Sequence, residues 1–320
     1  MTLRTSTRSA PGKVILFGEH AVGYGRPAIA TPIDRGLTLT ATLRDGEPGT
    51  RDGEPGTPVV GPPSEDARRL AAALGTAAAC FSLAPHRIAL GIVSDLPARC
   101  GLGSSAALSV TLLRALADLC RGALGRAELL ERAGAVEAAF HGTSSGLDVA
   151  AVGLGGTVWF QRTASPRATL LPVGRAFDLV VATTARRRST AHQVSEVRRC
   201  AQDRPDVLDR HFTRLGGLAA AGREALRTGD LTALGVLLDE AQEPLADLGL
   251  STPALDRAIA TARTAGALGA KLTGAGGGGA VVALAPGNAP AVAAVLRAAG
   301  YGAFVSHVDA ARPSDCPGTS

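Results

Sequence analysis

Residues 271–284 read Lys-Leu-Thr-Gly-Ala-Gly-Gly-Gly-Gly-Ala-Val-Val-Ala-Leu, with four consecutive glycines, Gly276 to Gly279, leading into an apolar run. Each glycine loses more backbone freedom on folding than any other residue, so such a run needs a reason. The usual reason is a backbone that must come close to a ligand or to another chain segment; a purely structural turn is the plainer alternative. Two further segments have the same character. Residues 10–22 (APGKVILFGEHAV) carry a lysine into a buried strand and an acid–histidine pair, Glu19-His20, out of it. Residues 101–107 (GLGSSAA) open a long Ala/Leu helix.

Composition narrows the field. The chain has 320 residues, 46% hydrophobic and 19% charged, which marks a globular protein and not a disordered one. No apolar run reaches the ~20 residues of a membrane span, and the polar start from Met1 to Arg8 has no signal-peptide h-region. The five cysteines are scattered without CxxC spacing, which points away from disulfides and zinc and toward a reduced cytoplasm. The net charge of +5 is modest, and two Tyr and one Trp supply no aromatic-interleaved basic stripe for nucleic acid. Of 33 basic residues only two are lysines, Lys13 and Lys271, each within a glycine-rich segment. An ammonium is a compact point charge and a guanidinium is not, so lysine at these two places looks selected.

Periodicity gives a mixed order of elements. Strands are expected at 13–18, 37–43, 88–93, 157–161, 179–182, 280–285 and 303–307. Helices are expected from Ser64, over 106–120, 127–140, 253–265 and 289–299, with two or three more between 190 and 248 broken near Pro205 and Gly229. The tandem RDGEPGT over 44–57 reads as an exposed loop, and 312–320 as a disordered tail. Without regular βα alternation the fold class is α+β, in two domains, 1–180 and 181–320.

The free N–H groups of a helix start, with glycines that let a backbone approach closely, suit a phosphate. Ser104 and Ser105 add hydroxyls, although Ser104 also suits a plain N-cap. GLGSSA matches a dinucleotide fingerprint, but no strand ending in an acid follows, so that reading fails; no Walker sequence is present. Glu137 on a helix and Asp148 after the Gly/Ser turn His141–Gly146 are a candidate metal ligand and general base.

Together these segments resemble the GHMP kinase family, and the match to its mevalonate kinases is close. The carrying residues are APGKVILFGEHAV with Tyr24 to Ala30, PxxxGLGSSAA at 97–107, HGxxSGxD at 141–148 and KLTGAGGGG at 271–279. The resemblance implies a two-domain α+β fold: an N-terminal ATP-binding domain and a ferredoxin-like C-terminal domain whose glycine loop closes the cleft. It implies transfer of the ATP γ-phosphoryl group to the primary hydroxyl of mevalonate, with Mg²⁺ as cofactor and room for a homodimer. Asp148 would be the catalytic base, with Lys13 beside it. Ser105 and Glu137 would hold Mg²⁺. Ser94 and the stretch Arg99, Cys100, Gly101, Leu102, Gly103, Ser104 and Ser105 would meet the nucleotide, together with Lys13. Glu19, His20, Asp148 and Thr190 would face mevalonate. Arg99 stands where many mevalonate kinases have glycine, which implies a phosphate contact through a side chain at that end of the loop.

Overall fold

A computed structural model describes residues 3–44, 65–141, 145–163, 167–184 and 190–312, the side chains of 141, 190 and 191 excepted. The RDGEPGT duplication beyond Arg44, the turn 142–144, Arg188-Ser189 and the tail from 313 lie outside the described residues.

The first half is built on a long antiparallel pair, β1 (Leu3–Phe17) and β2 (Ala28–Arg44). β3 (Ile88–Ser94) pairs with the outer part of β2, and β4 (Val158–Gln161) with its inner end; β5 (Arg167–Leu170) completes the sheet beside β4. β1 begins ten residues before the strand expected at Lys13. Its polar start is held by cross-strand hydroxyl pairs, Thr5–Thr42 at 3.2 Å, Thr7–Thr40 at 2.9 Å and Ser9–Thr38 at 2.8 Å. Such pairs stabilise a sheet face exposed to water without any apolar signal. β5 was also not expected.

Four helices cover this sheet: α1 (Glu65–Ala79), α2 (Ser104–Leu119), α3 (Arg126–His141) and α4 (Leu147–Leu154). In α2 twelve of sixteen residues are buried, on every face of the helix. An all-round apolar helix belongs in the middle of a core. α2 therefore runs between the sheet and α3, and its N-terminus is the end presented to the cleft.

The second half starts at β6 (Phe177–Thr183) and continues through α5 (Thr190–Asp203), α6 (Pro205–Thr228), α7 (Leu231–Asp247) and α8 (Pro253–Thr264). The breaks at Pro205 and Gly229 fall where the sequence places them. A hairpin of β7 (Gly269–Thr273) and β8 (Ala280–Leu284) follows, then α9 (Ala289–Ala298) and β9 (Gly302–Val308). The antiparallel order β7-β8-β6-β9 is that of a ferredoxin-like sheet. Because β6 pairs with β9 over Phe177–Thr183 and with β8 from Leu179 on, this sheet begins at Phe177, four residues ahead of the second domain's expected start at 181.

The two sheets are stitched where β2 passes β9. The Asp34 N–H donates to Ser306 Oγ at 3.0 Å, and the His307 N–H donates to Asp34 Oδ2 at 2.7 Å. The His307 ring meets Asp178 at 2.7 Å through Nδ1, and that hydrogen bond holds the imidazolium above its ordinary range. A raised value means stabilisation that is complete below about pH 6.5 and is lost as pH rises through the folded value. Half of the His307 side chain is exposed, so solvent screening keeps the effect under about 1 kcal/mol. Melting of the parent and His307→Gln should therefore differ by roughly 2 °C near pH 6 and converge by about pH 8; a gap that widens with pH would contradict this assignment.

Candidate active site

β1 delivers Lys13 into the interior, where its side chain is 2% exposed. A buried ammonium needs compensating partners. The Lys13 Nζ donates to the Gly101 carbonyl at 3.1 Å and pairs with Asp148 Oδ1 at 3.0 Å. The Lys13 N–H donates to the Leu102 carbonyl at 2.9 Å, so strand and loop are joined by backbone as well as side chain. Asp148 sits in the first turn of α4 and is 31% exposed, the half of the pair that faces the opening.

The loop itself is shaped by this contact. Gly103, at φ +80°, caps α2 in the left-handed region, and a Cβ there would lie 2.8 Å from Lys13 Cγ. No other residue satisfies both the backbone and the space. With Leu102 buried as an anchor, the first N–H groups of α2 at Ser104 and Ser105 are left at the cleft. Ser105 Oγ donates to Glu137 Oε1 at 3.3 Å, and Glu137, from α3, is 2% exposed. A hydroxyl and a buried carboxylate at a phosphate-binding helix start form a hard-oxygen set of the kind Mg²⁺ takes together with phosphate oxygens.

The glycine run between β7 and β8 lies directly on this loop. A Cβ at Gly279 would come within 3.1 Å of the Cys100 carbonyl, and one at Gly274 within 3.4 Å of the Gly101 carbonyl. The expectation of close backbone approach is met by another chain segment. Behind the run, the buried Gln193 of α5 occupies the space a side chain at Gly277 would need, a packing for which the sequence carried no signal.

Glu19 is placed otherwise than expected. It is 1% exposed, and its carboxylate pairs inside the protein with Lys271 of β7, whose side chain is fully buried. An acid enclosed in this way does not face a substrate. Burial raises the Glu19 carboxyl and lowers the Lys271 ammonium from their ordinary values, each against the attraction of the other. His20 does reach the cleft side of the glycine run: its Nε2 lies 2.9 Å from the Ala275 carbonyl, and since a carbonyl only accepts, Nε2 is the donor. Burial lowers the His20 pKa, so the ring is neutral at pH 7 with Nδ1 an acceptor.

Two expected nucleotide contacts are engaged elsewhere. Ser94 Oγ donates to the Gly36 carbonyl at 3.2 Å and accepts from the Leu96 N–H at 3.2 Å, closing a local turn. The exposed Arg99 guanidinium pairs with Asp66 of α1 at 2.7 Å. Cys100 is half-buried, with Sγ toward the Ala98 carbonyl at 3.4 Å. Thr190 opens α5, and its side chain lies outside the described residues. Thr273, not expected in the site, accepts from the Ile15 N–H at 2.8 Å and donates to the Ile15 carbonyl at 3.0 Å, tying β7 to β1.

Comparison with known proteins bears on the same segments. The GHMP kinases N terminal domain matches residues 67–156, and the GHMP kinases C terminal domain matches residues 223–302. The mevalonate kinase of Pyrococcus abyssi is 33% identical over 320 residues, covering 94% of each chain. That of Methanothermobacter thermautotrophicus is 35% identical, covering 91% of this chain and 94% of its own. The crystal structure of L. major mevalonate kinase in complex with R-mevalonate superposes with a TM-score of 0.83 at 29% identity, covering 97% of both chains. With both domains matched in order and such identity along nearly its whole length, the chain belongs to the GHMP kinase family, within its mevalonate kinase branch.

Proposed function

We propose that this protein transfers the γ-phosphoryl group of ATP to the primary hydroxyl of (R)-mevalonate, giving 5-phosphomevalonate. The observation that carries the reading is the buried Lys13, held between Asp148 and the loop that opens α2. Phosphoryl transfer asks for positioning and charge neutralisation more than for covalent chemistry. The N–H groups at Ser104 and Ser105 receive the phosphates. Asp148, at the opening, accepts the proton as the hydroxyl attacks. Lys13 stabilises the negative charge that gathers between the two sites. His20 is the neutral, polar group on the acceptor side. Ser105 and Glu137 would hold Mg²⁺, which when bound neutralises phosphate charge. The reduced cytoplasm is the proposed location; no helix among the described residues is long and apolar enough to cross a membrane.

A panel of hydroxy acids, phosphomevalonate and sugars, read by ADP release, tests the acceptor. Mevalonate should give the highest kcat/KM, and a tenfold preference for another acceptor would overturn the assignment.

For the base, Asp148→Asn keeps shape and hydrogen bonding but removes basicity. General-base loss typically costs about 10²–10⁴ in rate. The kcat should fall at least about 10²-fold with the Kd for ATP within a few-fold of the parent. Lys13→Met should also slow the chemical step, and the double variant should be little worse than the slower single, because groups acting on one proton work as a unit. Near-normal turnover in folded Asp148→Asn would reduce Asp148 to a helix-terminal residue.

For the metal, EDTA should abolish turnover. Glu137→Gln should raise the Mg²⁺ concentration for half-maximal rate by about 10-fold or more, since loss even of a residue supporting a ligand costs that much. An unchanged Mg²⁺ dependence would remove Glu137 from the metal site.

A further inference from the structure

The outer edge of β1 makes two contacts beside the buried lysine. The N–H groups of Lys13 and Ile15 both point away from β2, as those of alternate residues in a strand do. The first donates to the Leu102 carbonyl at 2.9 Å. The second donates to Thr273 Oγ1 at 2.8 Å, and the same hydroxyl donates to the Ile15 carbonyl at 3.0 Å. One side chain of β7 thus satisfies both backbone groups of Ile15, as an opposing residue of an antiparallel strand would. Thr273 is buried, so both bonds are made out of reach of bulk water.

The stretch so held is short. Residues 12–15 pair with residues 30–33 of β2 between two irregularities of register, one at Pro11/Gly12 and one beyond Ile15. Such irregularities bend a strand and interrupt its ladder, so the pairing of the rest of β1 does not fix these four residues. Their outer edge does. Thr273 also leads into the glycine run, in which Gly274 and Gly276 to Gly279 all have positive φ. Gly274 and Gly279 lie on the carbonyls of Gly101 and Cys100. β1, the loop before α2 and the glycine run therefore close a ring, and the Thr273 hydroxyl joins its last member to its first, two residues from Lys13.

We infer that Thr273 is a positioning residue for phosphoryl transfer: its hydroxyl, bonded to both backbone groups of Ile15, fixes the stretch of β1 that carries Lys13 against the loop before α2. The inference rests on the assignment of Lys13 and Asp148 to the reacting hydroxyl.

The test uses Thr273→Val and Thr273→Ser beside the parent, all assayed well below their melting transitions. Valine keeps the shape but leaves a buried N–H and a buried carbonyl unpaired. Serine keeps the hydroxyl. Misplacing a catalytic group by about 1 Å costs up to ~10²-fold. Thr273→Val should lower kcat at least about 10-fold, with KM for ATP and mevalonate within about threefold. Thr273→Ser should stay within about threefold of the parental kcat. A second readout follows Lys13 itself. The chain has two lysines, so ε-¹³C-lysine labelling gives two signals, and Asp148→Asn, which alters the partner in contact with Lys13, identifies that of Lys13. That signal should move in Thr273→Val and stay in place in Thr273→Ser. A hydroxyl that only stabilises the contact between the sheets would lower the melting temperature of Thr273→Val and leave kcat and the Lys13 signal parental. That result overturns the inference, as does a change in either readout without the other, or a Thr273→Ser enzyme as slow as Thr273→Val. If Thr273→Val fails to fold, Thr273→Ala, whose smaller side chain leaves room for a water beside Ile15, takes its place with the same expected direction. A parent inactive toward mevalonate overturns the acceptor assignment instead, and the Lys13 signal then decides whether the hydroxyl positions the lysine.

Discussion

The cleft is organised around one buried ammonium. Lys13 at 2% exposure is tenable only with negative charge and carbonyl oxygens around it, and each partner fixes a different element. Asp148 brings the N-terminus of α4, and the Gly101 carbonyl brings the loop before α2. The closeness of that loop leaves no space for a Cβ at Gly103, so the residue that caps α2 is settled by Lys13. The same enforced turn places the helix start at the cleft, where the N–H groups of a first helical turn suit an anion. The positions of the Asp148 carboxylate, the Lys13 ammonium and the start of α2 are thus consequences of burying one charge. The glycine run from the second sheet then packs its backbone on the carbonyls of Cys100 and Gly101, closing the arrangement from the other side.

What the sequence disclosed follows from the range of the forces involved. All the helices but the short α4, which the sequence reading lacks, lie within a residue or two of their expected places, because their apolar stripes and breaks at Pro205 and Gly229 are local facts. The ferredoxin-like order was available only through the family resemblance, since strand pairing between 177–183 and 302–308 leaves no trace in either segment alone. The start of β1 was missed because Thr5, Thr7 and Ser9 gain their partners across the sheet and have no apolar period. β7 was hidden by its composition: Lys271 and Thr273 are buried through charge pairing and hydroxyl bonds to β1, not through apolarity.

The site was legible to a similar limit. Lys13 with Asp148, and Ser105 with Glu137, were expected as pairs, and each pair is in contact. Both lie on segments whose glycines advertise backbone constraint. Glu19 was misplaced because a sequence shows an acid leaving a strand but not the cation waiting in another sheet. Ser94 and Arg99 were assigned to the nucleotide by alignment with a motif, whereas their present partners, Gly36 and Asp66, come from neighbouring elements. A pair as exposed as Arg99–Asp66 is weak and yields readily to a better anion. The geometry therefore leaves the arginine available to a phosphate.

The choice of cation follows the same logic. Among the described residues, the exposed ion pairs are made by arginine or histidine, as in Arg8–Asp118, Arg26–Asp209 and Arg214–Glu243. Both lysines are in the buried pairs. A guanidinium brings five donors in a rigid plane, and enclosing it requires acceptors for all of them. An ammonium is smaller and its three donors rotate, so it can be satisfied by one carboxylate and one or two carbonyls. The partners seen here match that requirement: Asp148 and Gly101 for Lys13, Glu19 and Leu272 for Lys271. In a chain that otherwise uses arginine for its positive charge, lysine is retained where space and acceptor number exclude the larger cation. Those two places are the cleft where β1 meets α4 and the seam between the two sheets.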